Sequence, residues 1–588
     1  MHEFLPMSRD EMRQLGWDSL DILLVTGDAY VDHPAFGSAL LGRWLRSRGF
    51  RVGIVAQPRW DTTEDIARLG RPRLFAGVTA GSLDSMLAHY TAFRKKRHDD
   101  AYTPGGCCGA RPNRACIVYA SLVRNVFPGL PVVLGGIEAS MRRATHYDFW
   151  SNKLRRSILL DSKADLIAYG MAERAVIEIA QRLRSGQADL RGIAGTVFVG
   201  APEADIPQGA PVLRLPSHEE IEAAPKKLME TTLALERQVH QGATWAVQTS
   251  GGRSVIFAPP ALPLTTEELD ELYALPFTRQ PHPSYQQTVP AVEMIRFSIT
   301  SHRGCAGGCS FCALALHQGR RISSRSAKSM LAEASRLTEH PDWRGSLTDV
   351  GGPSANMWGA TCAADPALCR RVSCLWPSIC PHFRADQAGL ARLLRDIARL
   401  PNVKHVRTAS GVRHDLALKA KPYVRALVEE FVGGQLKLAP EHNSDRVLRL
   451  MRKPPFGAFE QFLAAFERFS CKAGKEQYVV PYLISAFPGC TDADMRDLAK
   501  WLKGRGWNPQ QVQCFIPTPG TVATAMYYAG IDPEGNTIPV ARTDAERLRQ
   551  HRILVGGGEG REGAKAQRHR GPSHVGASAR HTPGKRGA

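Results

Sequence analysis

The apolar positions of the chain fall into two long alternations of short strands and amphipathic helices. Residues 21–27, DILLVTG, are a brief apolar run closed by glycine, the pattern of a buried strand. The next segment, 35–47, repeats at helical spacing, with Phe36, Leu40, Leu41, Trp44 and Leu45 on one side and Gly49 positioned to stop it. RVGIVAQ (51–57) then returns to strand character. Strand, helix and strand in about 35 residues make a βαβ unit, and such units build parallel sheets. LFAGVTAG (74–81), PVVLGGIEAS (131–140) and ADLIAYGMAE (164–173) repeat the strand-then-loop signal, and 175–183 is helical in pattern. After an N-terminal extension (1–19), residues 20–185 therefore predict a doubly wound α/β domain. The loops after its strands carry Asp28, His33, Gly135, Gly136, Glu138 and Glu173, at the strand ends where such folds bind ligands.

Residues 186–285 break this rhythm with Pro- and Gly-rich pieces such as GAPEADIPQGAPVLRLP, and are expected to be a connector. A second alternation starts near 290. MIRFSIT (294–300), SLTDVGG (346–352), VKHVRTAS (403–410), GQLKLAPEH (434–442), YVVPYLIS (478–485) and VQCFIP (512–517) read as strands, with helical stretches at 388–400, 423–431 and 492–503 between some of them. Six strands in this style predict a partial (β/α)6 barrel over 286–540, with its working face at the strand C-termini and a cysteine-rich insert at 358–385. Beyond 541 the apolar content fades into a Gly/Arg/Ser-rich stretch, expected to be a basic disordered tail.

Composition narrows the classes. With 588 residues the chain is too long for one core, and 43% hydrophobic and 22% charged residues are ordinary for a globular protein. No apolar run approaches the roughly 18 residues that span a bilayer. The first residues carry early acids and no apolar stretch, so neither a secretory signal nor a membrane partner is expected, and the cytoplasm is the expected location. Thirteen cysteines in such a chain point to metal or to inert thiols rather than to a disulfide framework. The formal charge is +20; residues 541–588 hold eleven Lys/Arg against four Asp/Glu, so +7 resides there. That balance is compatible with RNA or other anionic partners, but a solvated surface with a disordered basic tail is the favoured reading.

The chemistry concentrates in His302-Arg303-Gly304-Cys305-Ala306-Gly307-Gly308-Cys309-Ser310-Phe311-Cys312. Three thiols at C-x3-C-x2-C spacing sit on one short loop, and Gly304, Gly307 and Gly308 let it fold tightly. Thiolates are the usual ligands of iron–sulfur clusters. A 4Fe–4S cube has four irons and this loop offers three sulfurs, which leaves one iron open to a chelating small molecule. Structural zinc would need a fourth ligand, from His302, His317 or a distant residue.

This motif, with Phe311 as the aromatic before the last cysteine, resembles the signature of the radical S-adenosylmethionine (SAM) superfamily. Further segments extend the likeness: Asp349-Val350-Gly351-Gly352-Pro353, LKLAPEHNSDRVLRLMRK (436–453), YLISAFPGCTDADM (482–495) and VQCFIPTPGTVATAMYY (512–528). Over about 20–540 the chain resembles the YgiQ-type family of radical SAM proteins, through VTGDAYVDHPAFG (25–37), LGGIEASMRR (134–143), ALPLTTEELDELYALPFTRQPHPSY (261–285), EMIRFSIT (293–300) and GGPSANM (351–357). The resemblance implies a 4Fe–4S cluster on Cys305, Cys309 and Cys312 with SAM on the open iron. It also implies SAM contacts from Gly351 and Gly352, from Glu441 and from Ser485 in the fifth-strand segment. An electron from a reductant such as flavodoxin or ferredoxin would cleave SAM to a 5′-deoxyadenosyl radical acting on a substrate the sequence does not name.

A second group, Cys362, Cys369, Cys374 and Cys380, has spacing C-x6-C-x4-C-x5-C; an auxiliary cluster, a structural zinc or free thiols are the open readings. Cys107, Cys108 and Cys116 read as structural or incidental, and Cys471, Cys490 and Cys514 as buried singletons. The first domain resembles cobalamin-binding domains that precede some radical SAM barrels. The cobalamin signature D-x-H-x-x-G is not met, because Asp32 is adjacent to His33 and Val31 occupies the acid position. A cobalamin-like fold without cobalamin is the expectation. Besides a radical SAM enzyme of unassigned substrate, two alternatives stand: an RNA-modifying, methylthiotransferase-like enzyme and a non-catalytic iron–sulfur redox sensor.

Overall fold

The computed structural model describes residues 4–365, 368–509 and 512–556. Its first half is organised on strands β1 (Ile22–Thr26), β2 (Val52–Ala56), β3 (Phe75–Thr79), β4 (Val132–Leu134), β5 (Leu166–Ala168), β6 (Thr196–Gly200), β7 (Val212–Arg214), β8 (Trp245–Ser250) and β9 (Arg253–Phe257). They join in one nine-stranded sheet, ordered β2-β1-β3-β4-β5-β6-β9-β8-β7. The first five are parallel, with Ile22 opposite both Val52 and Phe75. Every residue of β1 and β2 is buried, which is why these strands read as unbroken apolar runs rather than as alternations. Helix Gly37–Ser47 buries the side its spacing predicted, covering the sheet with Ala39 and Leu45 while Leu40 and Trp44 pack against Leu264, Leu269 and Tyr273. The order 2-1-3-4-5 reverses direction between β1 and β3, and the crevice outside the carboxyl ends of strands at such a point is the ligand position of this topology.

The expected connector at 186–285 is corrected. Its strands β6, β8 and β9 are added to the sheet through antiparallel pairings, and β7 pairs parallel to β8 at the edge. The Pro- and Gly-rich turns disguised strands whose Val197, Phe198, Ile256 and Phe257 are all buried. Only the later part behaves as a strap: Asp32 N–H donates to the Gln280 carbonyl and Tyr30 N–H to the Tyr285 hydroxyl, 3.0 and 2.8 Å away.

In the second half the predicted strands appear in chain order and every pairing among them is parallel. Ser298–Thr300 pairs with Asp349–Gly351, Ser346–Leu347 with His405–Val406, and Gln435–Glu441 with Tyr478–Ser485, which pairs with Val512–Cys514. Helices Ala327–Thr338, Gln387–Ala398, Phe456–Lys472 and Asp492–Gly504 intervene. Their inward faces and the strands share the largest apolar cluster, in which Leu394, Leu438, Phe462, Leu483 and Leu498 meet. No helix among the described residues is long and apolar enough to cross a membrane.

The tail expected from 541 is corrected as well. Asp544–Val555 is a helix with a Thr543/Glu546 capping box. It escaped the apolar pattern because an arginine anchors it. Arg547 is fully buried, donates to the Ala92 and Phe515 carbonyls, and lies over the Phe149 ring at 4.7 Å. Residues 557–588 of the predicted tail lie outside the described residues. Arg547→Ala is expected to lower stability by about 3 kcal/mol, through two lost hydrogen bonds and the void left by its stem, measured by chemical denaturation. A loss under about 0.5 kcal/mol would show that the helix is not anchored there.

Candidate active site

The cysteine loop leaves the first strand of the second half at Thr300. His302 and Arg303 pair with Ser323 and Ser324, and Cys305 N–H donates to the Gly319 carbonyl at 3.1 Å. Gly304 has φ +84°, and a Cβ there would collide with the Arg321 carbonyl. A Cβ on Gly307 would stand 3.4 Å from the Cys305 sulfur and 3.7 Å from that of Cys309, so the glycine keeps space open beside both. The three predicted thiols are brought together. Burial, then the neighbouring Cys309 and Cys305, push the Cys312 thiol up to about 12, and burial followed by Cys309 raises that of Cys305.

Two cations missed in the sequence oppose this. Arg413 Nη1 approaches the Cys309 sulfur at 3.8 Å while its other nitrogens hold Asp415 at 2.9 and 2.6 Å. Lys453, also buried, sits 3.4 Å from Glu441. Both favour the anionic thiolate form. Arg413 lies in a loop without motif character, so only the fold could show that it reaches the cysteines. Among the described residues no three His, Cys, Asp or Glu side chains converge on a point where one metal ion would sit. A single tetrahedral zinc needs that convergence, whereas a cubane takes each sulfur on a different iron.

Beside the loop lies a cavity of about 480 Å³. Its walls come from both halves: Asp28, Thr79 and Gly136 at the carboxyl ends of β1, β3 and β4, and Thr300, His302 and Gly352 from the second half. This is the crevice the strand order marks. Gly351 and Gly352 close the second strand there. A Cβ on Gly352 would stand 2.7 Å from His302 Cε1 and 2.8 Å from its Nε2, so glycine is required for the backbone to lie against the ring. His302 is 1% exposed, and burial lowers its pKa to about 4, so the ring is neutral. Its Nδ1 is 2.8 Å from the Ser301 hydroxyl, and its Nε2 is a buried nitrogen without a hydrogen-bond partner.

Glu441 stands where the register between the fourth and fifth strands shifts, with φ +68°. Burial raises its pKa, Lys453 opposes the rise, and its charge bears on Cys312. Ser485 is placed differently: its hydroxyl is 3.1 Å from His551 Nδ1 on the C-terminal helix. Of the first-half loop residues, Glu138 accepts from Ser85 and from Cys116 N–H inside the core. His33 accepts from Ala35 N–H and faces Arg279 with Nε2 at 3.0 Å. Cys490 and Cys514 are buried as expected, but Cys471 is exposed.

Glu173 joins the two halves. It pairs with Arg303, two residues before Cys305, and the Tyr273 hydroxyl accepts from the same guanidinium at 3.3 Å. Glu173→Ala would leave Arg303 buried without a counter-charge and is expected to cost about 3 kcal/mol. Denaturant titration checks this, and Glu173→Asp should recover part of the loss. Equal stability of Glu173→Ala and the parent chain would show that the pair does not hold the halves together.

A parallel sheet with its ligand crevice facing a three-cysteine loop and a paired-glycine strand end defines a radical SAM enzyme. A family model described as Radical SAM N-terminal matches residues 4–298. Another, a domain of unknown function (DUF3362), matches 510–555 and so ends on the C-terminal helix. A UPF0313 protein of Geobacter sulfurreducens is 50% identical over 561 residues, covering 94% of this chain and 92% of that relative. A UPF0313 protein of Thermotoga petrophila is 48% identical over 581 residues, covering 95% of this chain and 100% of the relative. The chain belongs to the UPF0313 family of radical SAM proteins.

The fold is similar to that of the radical SAM methyltransferase TsrM from Kitasatospora setae, solved with cobalamin and a 4Fe–4S cluster bound. The TM-score is 0.51 at 15% identity, over 90% of this chain and 85% of that one. This overturns the expectation against cobalamin. A missing D-x-H-x-x-G motif speaks only to a histidine ligand, and a fold that offers the crevice does not exclude the cofactor.

Proposed function

We propose that this protein cleaves SAM reductively at a 4Fe–4S cluster held by Cys305, Cys309 and Cys312, and directs the radical into the cavity between its halves. The six parallel strands of the second half act in this reading as a partial (β/α)6 barrel with the cluster loop after the first strand. When bound, the cluster supplies the electron that breaks the sulfonium C–S bond of SAM and yields a 5′-deoxyadenosyl radical. The chain's own residues bind, orient and shield. Arg413 and Lys453 hold positive charge beside the thiolates. Gly351 and Gly352 leave backbone open to the amino acid end of SAM, and neutral, buried His302 packs against Gly352 and fixes that strand end. Glu441 takes the position on the Cys312 side. The observation that carries the reading is that the residues flanking the three-thiol loop, His302 and Arg303 before it and Leu314 after it, line the cavity together with Gly351 and Gly352.

Anaerobic EPR of the reduced protein with and without SAM, combined with product analysis, tests it. The expected result is a cluster signal that SAM changes and the appearance of 5′-deoxyadenosine. A signal indifferent to SAM, with no cleavage product, would make this an electron carrier or sensor instead. Anaerobic titration with hydroxocobalamin extends the test to the second cofactor of the similar fold. A saturable spectral change near one equivalent places a corrinoid in the crevice, and no change leaves the cavity to SAM and substrate.

A further inference from the structure

The geometry points to a second iron–sulfur site, in which Cys362, Cys369, Cys374 and Cys380 hold a four-thiolate cluster against the back of the first cysteine loop, with the Arg320 guanidinium as its counter-charge. Local structure gathers the four. A two-strand ladder sets Cys362 opposite Phe383 and Thr361 opposite Arg384. Phe383 N–H donates to the Cys380 carbonyl at 3.0 Å, and Cys380 N–H to the Cys374 carbonyl at 2.7 Å. Cys369 lines one cavity with Arg371, Val372 and Trp376 of the same loop. The loop between is built rather than slack: Ser373 Oγ accepts from Leu375 and Trp376 N–H at 3.0 and 2.9 Å, and Arg371 donates to the Ser373 and Trp376 carbonyls.

This loop rests directly on the first. Cys374 N–H donates to the Ala306 carbonyl at 3.0 Å, and Ser373 Oγ to the Gly307 carbonyl at 2.6 Å. A Cβ on Gly308 would stand 3.1 Å from that of Ser373. Ala306, Leu375, Cys380 and Phe383 form one apolar cluster with Cys305 and Cys374 against it, so the two thiol groups share a dry wall.

Arg320 supplies the independent observation. It is 7% exposed, its Nη1 donates to the Arg371 carbonyl, its Nε has no hydrogen-bond partner, and no carboxylate among the described residues forms a salt bridge with it. The nearby Glu236 is taken by Arg452 at 2.6 Å. Arg320 lines the same cavity as Cys369. A buried cation without a carboxylate is costly, and thiolates bearing a cluster, which carry net negative charge, provide what it lacks. Arg413, which does have a carboxylate partner in Asp415, stands beside Cys309 in the first loop. Because four thiolates satisfy all four irons, this site leaves no iron open and does not take SAM. As at the first loop, no three of the side chains converge on one ion position.

Iron analysis and EPR of anaerobically reconstituted full-length variants test this separately from SAM cleavage. Cys305→Ala/Cys309→Ala/Cys312→Ala should keep about four irons per chain and a reduced-state signal that SAM leaves unchanged. Cys374→Ala/Cys380→Ala should keep about four irons with a SAM-responsive signal. A triple variant without iron, a double variant with the full iron content of the parent, or stoichiometric zinc on the triple variant would overturn the second cluster. Arg320→Met should retain iron and lower the reduction potential of the SAM-indifferent signal, since removing positive charge disfavours the added electron. An unmoved potential would remove Arg320 from the site.

Discussion

Cys305→Ala is expected to abolish 5′-deoxyadenosine formation, with SAM cleavage falling at least about 1000-fold, or about 4 kcal/mol in activation free energy. The size follows from how little redundancy the site has. The loop presents three thiols, one for each of three irons. The Cys305 sulfur lies against the space that Gly307 keeps open, 3.4 Å from where a Cβ would be, so losing it removes one corner of the anchor and no neighbour moves in. Anaerobic, chemically reduced protein assayed by chromatography for 5′-deoxyadenosine gives the readout. Retention of more than a tenth of the parent activity would end the assignment of this loop as the cluster anchor.

The second large effect is expected at a residue with no reactive group. Gly352→Ala places a methyl carbon 2.7 Å from His302 Cε1 and 2.7 Å from the His302 carbonyl. His302 is buried and cannot swing aside, so the strand end must move away from the cavity wall. SAM affinity should fall about 100-fold, or about 2.7 kcal/mol, with iron content unchanged. At Gly351 the nearest atoms to a new Cβ are Ser410 Cβ and Oγ, both at 3.1 Å. A small adjustment suffices there, and the loss should stay within about tenfold, or about 1.4 kcal/mol. Equilibrium binding of SAM to the reconstituted variants gives both numbers. Equal affinities for the two variants would show that the His302 contact does not shape the site.

Which parts of this were legible follows from where the information lay. β1 and β2 announced themselves because a strand buried on both faces must be apolar throughout, and helix Gly37–Ser47 because its buried face repeats at 3.6 residues. β6 to β9 were not legible as sheet members. Their short apolar stretches lie among prolines and glycines, and the pairing of β6 with β9 across 54–60 residues is a non-local choice. The C-terminal helix was hidden because Arg547, read as surface charge, is its buried anchor. Cobalamin could not be excluded from a missing motif, because the crevice belongs to the strand order and not to a ligand residue.

The sequence by itself determined the three-thiol loop, its glycines, the paired glycines at the second strand end and the order of the parallel strands. Each is a local pattern whose chemistry depends on residue type and spacing. Only the tertiary structure decided that Arg413 and Lys453 stand beside the thiols, that His302 packs against Gly352 at the cavity wall, that Ser485 turns to His551 and that the second cysteine group lies on the first. Those are contacts between residues dozens to hundreds of positions apart, fixed by packing and by the cost of burying a charge or polar atom without a partner, and no local pattern encodes them.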